Sequence, residues 1–313
     1  VKAFSFVKGD VDDEKQALEG AVNILAEWIA EDKWVRDELR AQFQRVAIGS
    51  SKVKRGKKEE GEKYKDYFEF SEKVQRMASH RALALFRAEK EGILSFSVDV
   101  NEERAIQNIH NKINRNYASN TFVDKAVSES YKRILQPNFE SEIKKELKEK
   151  ADLDSIGVFA ENLKQLLLQS PLGAKNILAI DPGFRSGCKV AVLNRNGDFT
   201  DNTTIFPHPP QKKWEETKQT LLNLVQKNNI EAIAVGNGTA GLETEKLCRD
   251  LFKETAIEVF SVNEAGASIY SASEIARDEF PDLDLTVRGA ISIGRRLIDP
   301  LAELVKIDAK SIG

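Results

Sequence analysis

Asp181 closes the apolar run Ile177 to Ile180 and opens a turn that also holds Pro182, Gly183, Arg185 and Gly187. A carboxylate at a strand end can leave the sheet while its backbone stays fixed, which suits it to hold a hard cation such as Mg²⁺ through oxygen. Gly183 and Gly187 permit positive φ and close approach of a ligand to the backbone. Asp-Pro-Gly is also ordinary turn chemistry, with Asp starting the turn and Pro fixing φ. A second glycine-rich turn, Gly236-Asn237-Gly238-Thr239-Ala240-Gly241, offers backbone N–H groups to phosphate or serves only as a tight strand-to-helix turn.

Composition narrows the field. The chain has 313 residues, 41% hydrophobic and 31% charged, which suits a globular protein with room for two domains. Its net charge of −3 does not mark the whole chain as a nucleic-acid binder, so such binding would have to use local patches. Cys188 and Cys248 are the only cysteines, and His80, His110 and His208 lie far apart, so no zinc spacing is present. No apolar run approaches the roughly 20 residues that span a bilayer. Val1 to Asp10 carries no signal-peptide pattern, so the chain is expected to be intracellular and not secreted. A start at Val1 without Met and a stop at Gly313 without a helix cap suggest a piece of something longer.

Pro137 is the first proline, and the other prolines all lie beyond Ser170. This shift predicts a helical region over 1–170 and a mixed α/β region over 171–313. In the first, Leu18, Ala21, Leu25 and Trp28 define an apolar helical stripe, and Val35, Leu39, Phe43 and Val46 a second, joined near Glu31-Asp32 as a helical hairpin. Lys52 to Lys58 is the densest basic run and reads as a mixed-charge exposed loop before Glu59-Glu60. Ser79 to Lys90 reads as a helix and Leu94 to Val100 as a strand. From Phe139 to Ser170 the apolar residues keep helical spacing for about 48 Å, with a break plausible at Asp152 or Gly157.

The second region predicts strands over 177–180, 188–193 and 199–206, the first two pairs antiparallel, with a type I′ hairpin at Asn196-Gly197. Then follow a helix over 214–228, a strand over 232–235, a helix through Leu247 and Leu251, a strand over 257–262 and a last helix over 288–307. Three antiparallel strands followed by helix, strand, helix, strand and helix match a ribonuclease H-like fold. A Rossmann fold would need a crossover helix directly after the first strand.

DPGFRSGCKVAV, IFPHPP, AVGNGTAG, VNEAGASIYSASE and RGAISIGRRLIDPLAELVKID occur in that order. Together they resemble the YqgF-like domain of the Tex family of transcription accessory proteins and their eukaryotic relatives. SHRALALFRAEKEG and FAENLKQLLLQSPLG resemble the helical core upstream of that domain, so the likeness covers nearly the whole chain. It implies an α+β protein, mainly helical first and ribonuclease H-like second, that binds RNA or DNA beside the transcription machinery. Family members continue into helix-hairpin-helix segments and an RNA-binding OB-fold, absent from this stretch.

Ribonuclease H-like nucleases gather carboxylates around two metal ions, since the attacking and leaving oxygens both need charge stabilisation. Asp181 matches their first-strand acid, and Glu264 lies where YqgF-type domains often carry another. Asn237 stands where resolvases use Glu, and Thr286, Val287 and Arg288 fall near the acid of the last helix; Asp284 or Asp299 would be the substitute, with Asp299 about three turns along that helix and too remote. These departures from the family pattern lead to the expectation of a pseudo-nuclease, its fold retained and its metal catalysis lost or much weakened, with no cofactor required. Arg185, Lys189, Arg288, Arg295 and Arg296 are its expected cationic contacts to nucleic acid, with Asn237 and Thr239 on the glycine turn. The competing reading is a metal-dependent nuclease or resolvase that uses Asp181 and Glu264 with Mg²⁺ or Mn²⁺. An actin-like phosphate-binding ATPase is disfavoured, because that fold needs two such domains.

Overall fold

Asp13 begins the first long helix by accepting a hydrogen bond from Gln16 N at 2.7 Å, and Asp32 both ends that helix and caps the next by accepting from Val35 N at 2.9 Å. These caps define α1 (Glu14–Glu31) and α2 (Lys33–Val46), the expected helical hairpin. The computed structural model describes residues 3–9, 11–113 and 121–312, so the two chain ends Val1 and Gly313 lie outside the described residues. Contacts divide the chain into two units, Val1–Gly157 and Val158–Gly313.

In the first unit the chain continues through β1 (Ile48–Val53), β2 (Glu69–Lys73), α3 (Ser79–Lys90), β3 (Leu94–Asp99), α4 (Glu102–Ile113), α5 (Thr121–Glu129) and α6 (Gln136–Leu167). A π-helical turn, Ser130–Leu135, joins α5 to α6. Val22, Ala26 and Ile29 of α1 share one core with Val35, Leu39 and Phe43 of α2 and with Phe139 of α6. The stripe on α1 is therefore turned by one residue from the expected one, and Trp28 is exposed. The region is also less purely helical than its sequence suggests, because β1 is the centre of an antiparallel sheet ordered β2-β1-β3.

Helix α6 is unbroken at Asp152 and Gly157. Its buried residues Phe139, Ile143, Leu147 and Ala151 follow a four-residue repeat that then stops, and Leu153, Ile156 and Val158 are exposed. Contacts thus divide at 157/158, inside a helix that runs on to Leu167, just before the expected 170/171 boundary.

The second unit contains β4 (Ile177–Asp181), β5 (Cys188–Leu193), β6 (Phe199–Ile205), α7 (Trp214–Lys227), β7 (Ala232–Gly236), α8 (Gly241–Leu251), β8 (Glu258–Val262), α9 (Ala267–Ala272), α10 (Glu274–Glu279), α11 (Leu285–Ile298) and α12 (Pro300–Leu304). Its sheet runs β6-β5-β4-β7-β8, antiparallel from β6 to β4 and parallel from β4 to β8. Leu178 and Ile180 of β4 pack with Leu221 and Leu247 from α7 and α8, while Ile177 and Ala179 pack with Ala290, Ile291 and Ile293 of α11. Both faces are covered, which is why the central strands read as continuous apolar runs. A Cβ on Gly294 would lie 2.6 Å from Leu193 Cδ1, so glycine lets α11 sit close against β4 and β5.

Two expectations are corrected here. Gly197 alone has positive φ at the β5–β6 turn, whereas type I′ needs it at Asn196 as well. Asn194 closes this turn instead, its Oδ1 accepting from Asn196 N and Asp198 N at 2.9 Å each. The last helix also ends at Ile298, because Asp299 turns extended and caps α12 through Ala302 N at 3.1 Å. Asp299 is thus committed to a helix start.

Candidate active site and nucleic-acid surface

Strand β4 carries Asp181 to its C-terminal end, next to the tip of β7, and the turn after β8 brings Glu264 to the same place. Asp181, Glu264, Ala267, Ser268, Ser271, Thr286 and Gly289 line one cleft of about 360 Å³. Asp181 lies mostly out of solvent, and burial together with the negative charge of Glu264 pushes its pKa up to about 6, against a partial offset from Lys189. Lys189 stands directly opposite Asp181 in the β4–β5 ladder, and its Nζ donates to Ser186 O at 2.8 Å.

Glu264 is held by its surroundings more than by its carboxylate. Its backbone N donates to Asn237 Oδ1 at 3.2 Å, and Arg296 Nη1 donates to the carbonyls on either side, Asn263 O at 2.8 Å and Ala265 O at 2.7 Å. The carboxylate lies over the glycine turn, where a Cβ on Gly238 would overlap it and a Cβ on Gly236 would meet Glu264 Oε2. Those two glycines therefore make room for an acid. Glu264 Oε2 is buried and has no hydrogen-bond partner.

The sequence-predicted cations separate into two sets. Arg288 is buried and spends its guanidinium on carbonyls, Nε to Phe280 O at 3.0 Å, Nη2 to Pro281 O at 3.3 Å and Nη1 to Ser271 O at 3.4 Å. Arg295 donates through Nε to Gly197 O at 2.9 Å and pairs through Nη1 with Glu279 at 2.7 Å. Arg296 is buried behind Glu264, and burial pulls its pKa down against the attraction of Glu303 and Glu264. Against the expected phosphate role, Arg288 and Arg295 turn donors to internal contacts, as does Arg296 Nη1, while Arg296 Nε and Nη2 are buried without a partner. Arg185 and Thr239 are exposed, Lys189 is half-exposed, and the Asn237 carbonyl is occupied by Glu264 N.

Arg288 also does not stand in the place of a third acid. The helix position that faces Asp181 is Gly289, whose Cβ site lies 3.2 Å from Asp181 Oδ2. Asp284 caps α11, its Oδ1 accepting from Thr286 N at 2.8 Å and from Thr286 Oγ1 at 2.6 Å. Among the described residues, no group of three His, Cys, Asp or Glu side chains converges. The sequence reading missed Gly289, Ser268 and Ser271, none of which carries a charge to advertise it.

A five-stranded sheet with this order, helices on both faces and acids at the tips of β4 and β8, either side of β7, defines a ribonuclease H-like domain. Residues 175–298 match the family described as Tex protein YqgF-like domain, and residues 1–159 match the Tex central region-like family. The chain belongs to the Tex family.

It is 41% identical to Protein tex of Bordetella pertussis, covering 98% of this chain and 41% of that protein. It is 40% identical to the transcriptional accessory protein Tex of Neisseria gonorrhoeae, over 99% and 42% respectively. With the human S1 RNA-binding domain-containing protein 1 the identity is 34%, over 94% and 31%. The chain thus spans less than half the length of these relatives. No helix among the described residues is long and apolar enough to cross a membrane.

Proposed function

We propose that this chain is the nucleic-acid-binding scaffold of a transcription-associated protein, with a nuclease-like domain that does not cut phosphodiesters by a two-metal route. One observation carries the second clause: the cleft holds two carboxylates, and the helix that closes it faces Asp181 with Gly289. Two divalent ions need a larger anionic oxygen set than Asp181 and Glu264 provide. The names of the relatives support the first clause, one a transcriptional accessory protein and another containing an S1 RNA-binding domain. RNA or DNA and the transcription machinery are then the partners, with further binding supplied by parts of the longer relatives that lie outside this stretch.

The test is fluorescence anisotropy with labelled RNA and DNA strands at low and rising salt, run beside a Mn²⁺-supplemented cleavage assay on branched DNA and structured RNA. Salt-sensitive binding without cleavage is expected, because phosphate contacts release counterions. Absence of binding at low salt sinks the scaffold reading. Cleavage that disappears in Asp181→Asn sinks the pseudo-nuclease clause.

A second reading has its own observation. It rests on the partnerless Glu264 Oε2 and on the raised pKa of Asp181, which burial first and the Glu264 charge second push up. That donor set fits one Mg²⁺ or Mn²⁺ shared by Asp181 and Glu264, with Ser268 and Thr286 lining the remaining wall. A cation held there would offset charge on a phosphate oxygen. The chain's own part would be to fix Glu264 through Arg296 and Asn237 and to keep Asp181 partly dry.

A further inference from the structure

The loop after β4 and the loop after β6 form one surface. Phe184 sets its ring edge-on to His208, with centroids 5.5 Å apart, and Gln211 Nε2 donates to Arg185 O at 3.1 Å. His208 is buried, with Nε2 2.7 Å from Thr244 Oγ1. That hydroxyl gives its single proton to Ala240 O at 2.8 Å, so the imidazole is the donor in the pair. Lys212 N donates to His208 O at 3.0 Å and Lys213 N to Phe206 O at 2.8 Å, which fixes the approach to α7. The two loops are therefore tied to each other and to a buried histidine.

This anchored surface displays aromatic rings and unpaired cations together. Phe184 is 37% exposed and Trp214 47% exposed. Arg185 and Lys212 are exposed, and neither side chain has an ion pair or hydrogen bond among the described residues. By contrast, Lys213 pairs with Glu216 at 3.0 Å, and Lys218 lies over the Trp214 ring at 5.6 Å. Nothing in the core requires Phe184 or Trp214 to be aromatic where they meet solvent.

We propose that the Phe184-Arg185 loop and the Lys212 to Trp214 segment bind single-stranded nucleic acid. Bases stack on the two rings, and Arg185 and Lys212 meet the phosphates. This rests on the nucleic-acid reading above and adds a place and a strand form to it. A single strand offers free base faces to aromatic side chains and a phosphate chain to cations. A duplex keeps its bases stacked inside and would engage only the two cations. The same loop begins at Asp181, so a strand seated on Phe184 would run beside the acidic cleft.

The experiment uses the chain with Trp28→Phe and Trp34→Phe, which leaves Trp214 as the one tryptophan. Titration with a short oligouridine should quench Trp214 fluorescence, and a duplex of the same length should bind more weakly. Phe184→Leu keeps an apolar contact to His208 while removing the stacking face, and Trp214→Leu removes the second face. Each should weaken binding by about fivefold to a hundredfold with an unchanged melting temperature. Arg185→Gln and Lys212→Gln should each lower the slope of log K against log salt by about 0.7. Binding that leaves Trp214 emission unchanged, a duplex bound as tightly, or unaltered affinity in Phe184→Leu and Trp214→Leu overturns the site while leaving the broader reading in place. Failure of the unsubstituted chain to bind either strand at low salt removes both.

Discussion

Gly289 of α11 faces Asp181 of β4, its Cβ site 3.2 Å from Asp181 Oδ2. A helix pressed close to the sheet at Gly294 thus presents bare backbone where a third carboxylate would complete a metal-binding set.

Gly289→Asp supplies that carboxylate. Without divalent ions the variant should melt below the native chain, since a third anion crowds Asp181 and Glu264. Added Mn²⁺ should raise its melting temperature more than it raises that of the native chain. Gly289→Asn, which adds bulk without charge, should show the first effect weakly and the second not at all.

The stability of the chain should depend on the titration of Asp181. Its folded pKa, about 6, lies above the ordinary value of 3.8, so the folded state holds the proton more tightly. Between those values the unfolded state binds fewer protons, and unfolding free energy falls as pH rises, reaching its full loss above the folded pKa. At about 1.4 kcal/mol per unit, the cost at neutral pH is on the order of 3 kcal/mol. Asp181→Asn in metal-free buffer should therefore stabilise the fold at pH values well above 6 and have little effect at values near the unfolded pKa. Urea titrations at both ends of that range measure it.

Gly238→Ala places a methyl group into the Glu264 carboxylate. The acid must move, at a cost of about 1–3 kcal/mol for overpacking, and any Mn²⁺ stabilisation of the native chain should be lost with it. Chemical denaturation with and without Mn²⁺ separates the two effects.

Arg288→Ala and Arg296→Ala should unfold the domain more readily and leave the salt slope of nucleic-acid binding unchanged. Each guanidinium holds backbone carbonyls inside the protein, and Arg296 also offsets buried Glu303. Leaving buried carbonyls without their donors costs about 1–3 kcal/mol per group. A slope that fell while the melting temperature held would instead return these arginines to the phosphate-binding surface.

The second unit was legible in the sequence because its central strands are buried on both faces, so their apolar runs and the turns between elements give the element order directly. In the first-unit sheet only the strand at Leu94–Asp99 was. Its central strand Ile48–Val53 buries Gly49 and Ser51 rather than large side chains, since a Cβ on Gly49 would strike Met77 and Phe96 and Ser51 Oγ donates to Tyr67 O at 2.6 Å. Period-2 hydrophobicity is then missing from a strand that is nonetheless the middle of its sheet. At the site, Asp181 and Glu264 announced themselves by type and by their place at strand ends. That Arg288, Arg295 and Arg296 turn donors to carbonyls was not legible, because a charged letter does not say whether its donors point to water or inward. Gly289 was silent, since its meaning lies in the side chain it lacks.

Glu264 occupies a niche cut for it by Gly236 and Gly238 and is aimed by an arginine from another helix. An acid so accommodated has reasons of architecture to persist after any chemistry has gone. Its presence alone therefore says more about packing than about reaction, and the position across from Asp181 on the last long helix is the more telling one to read.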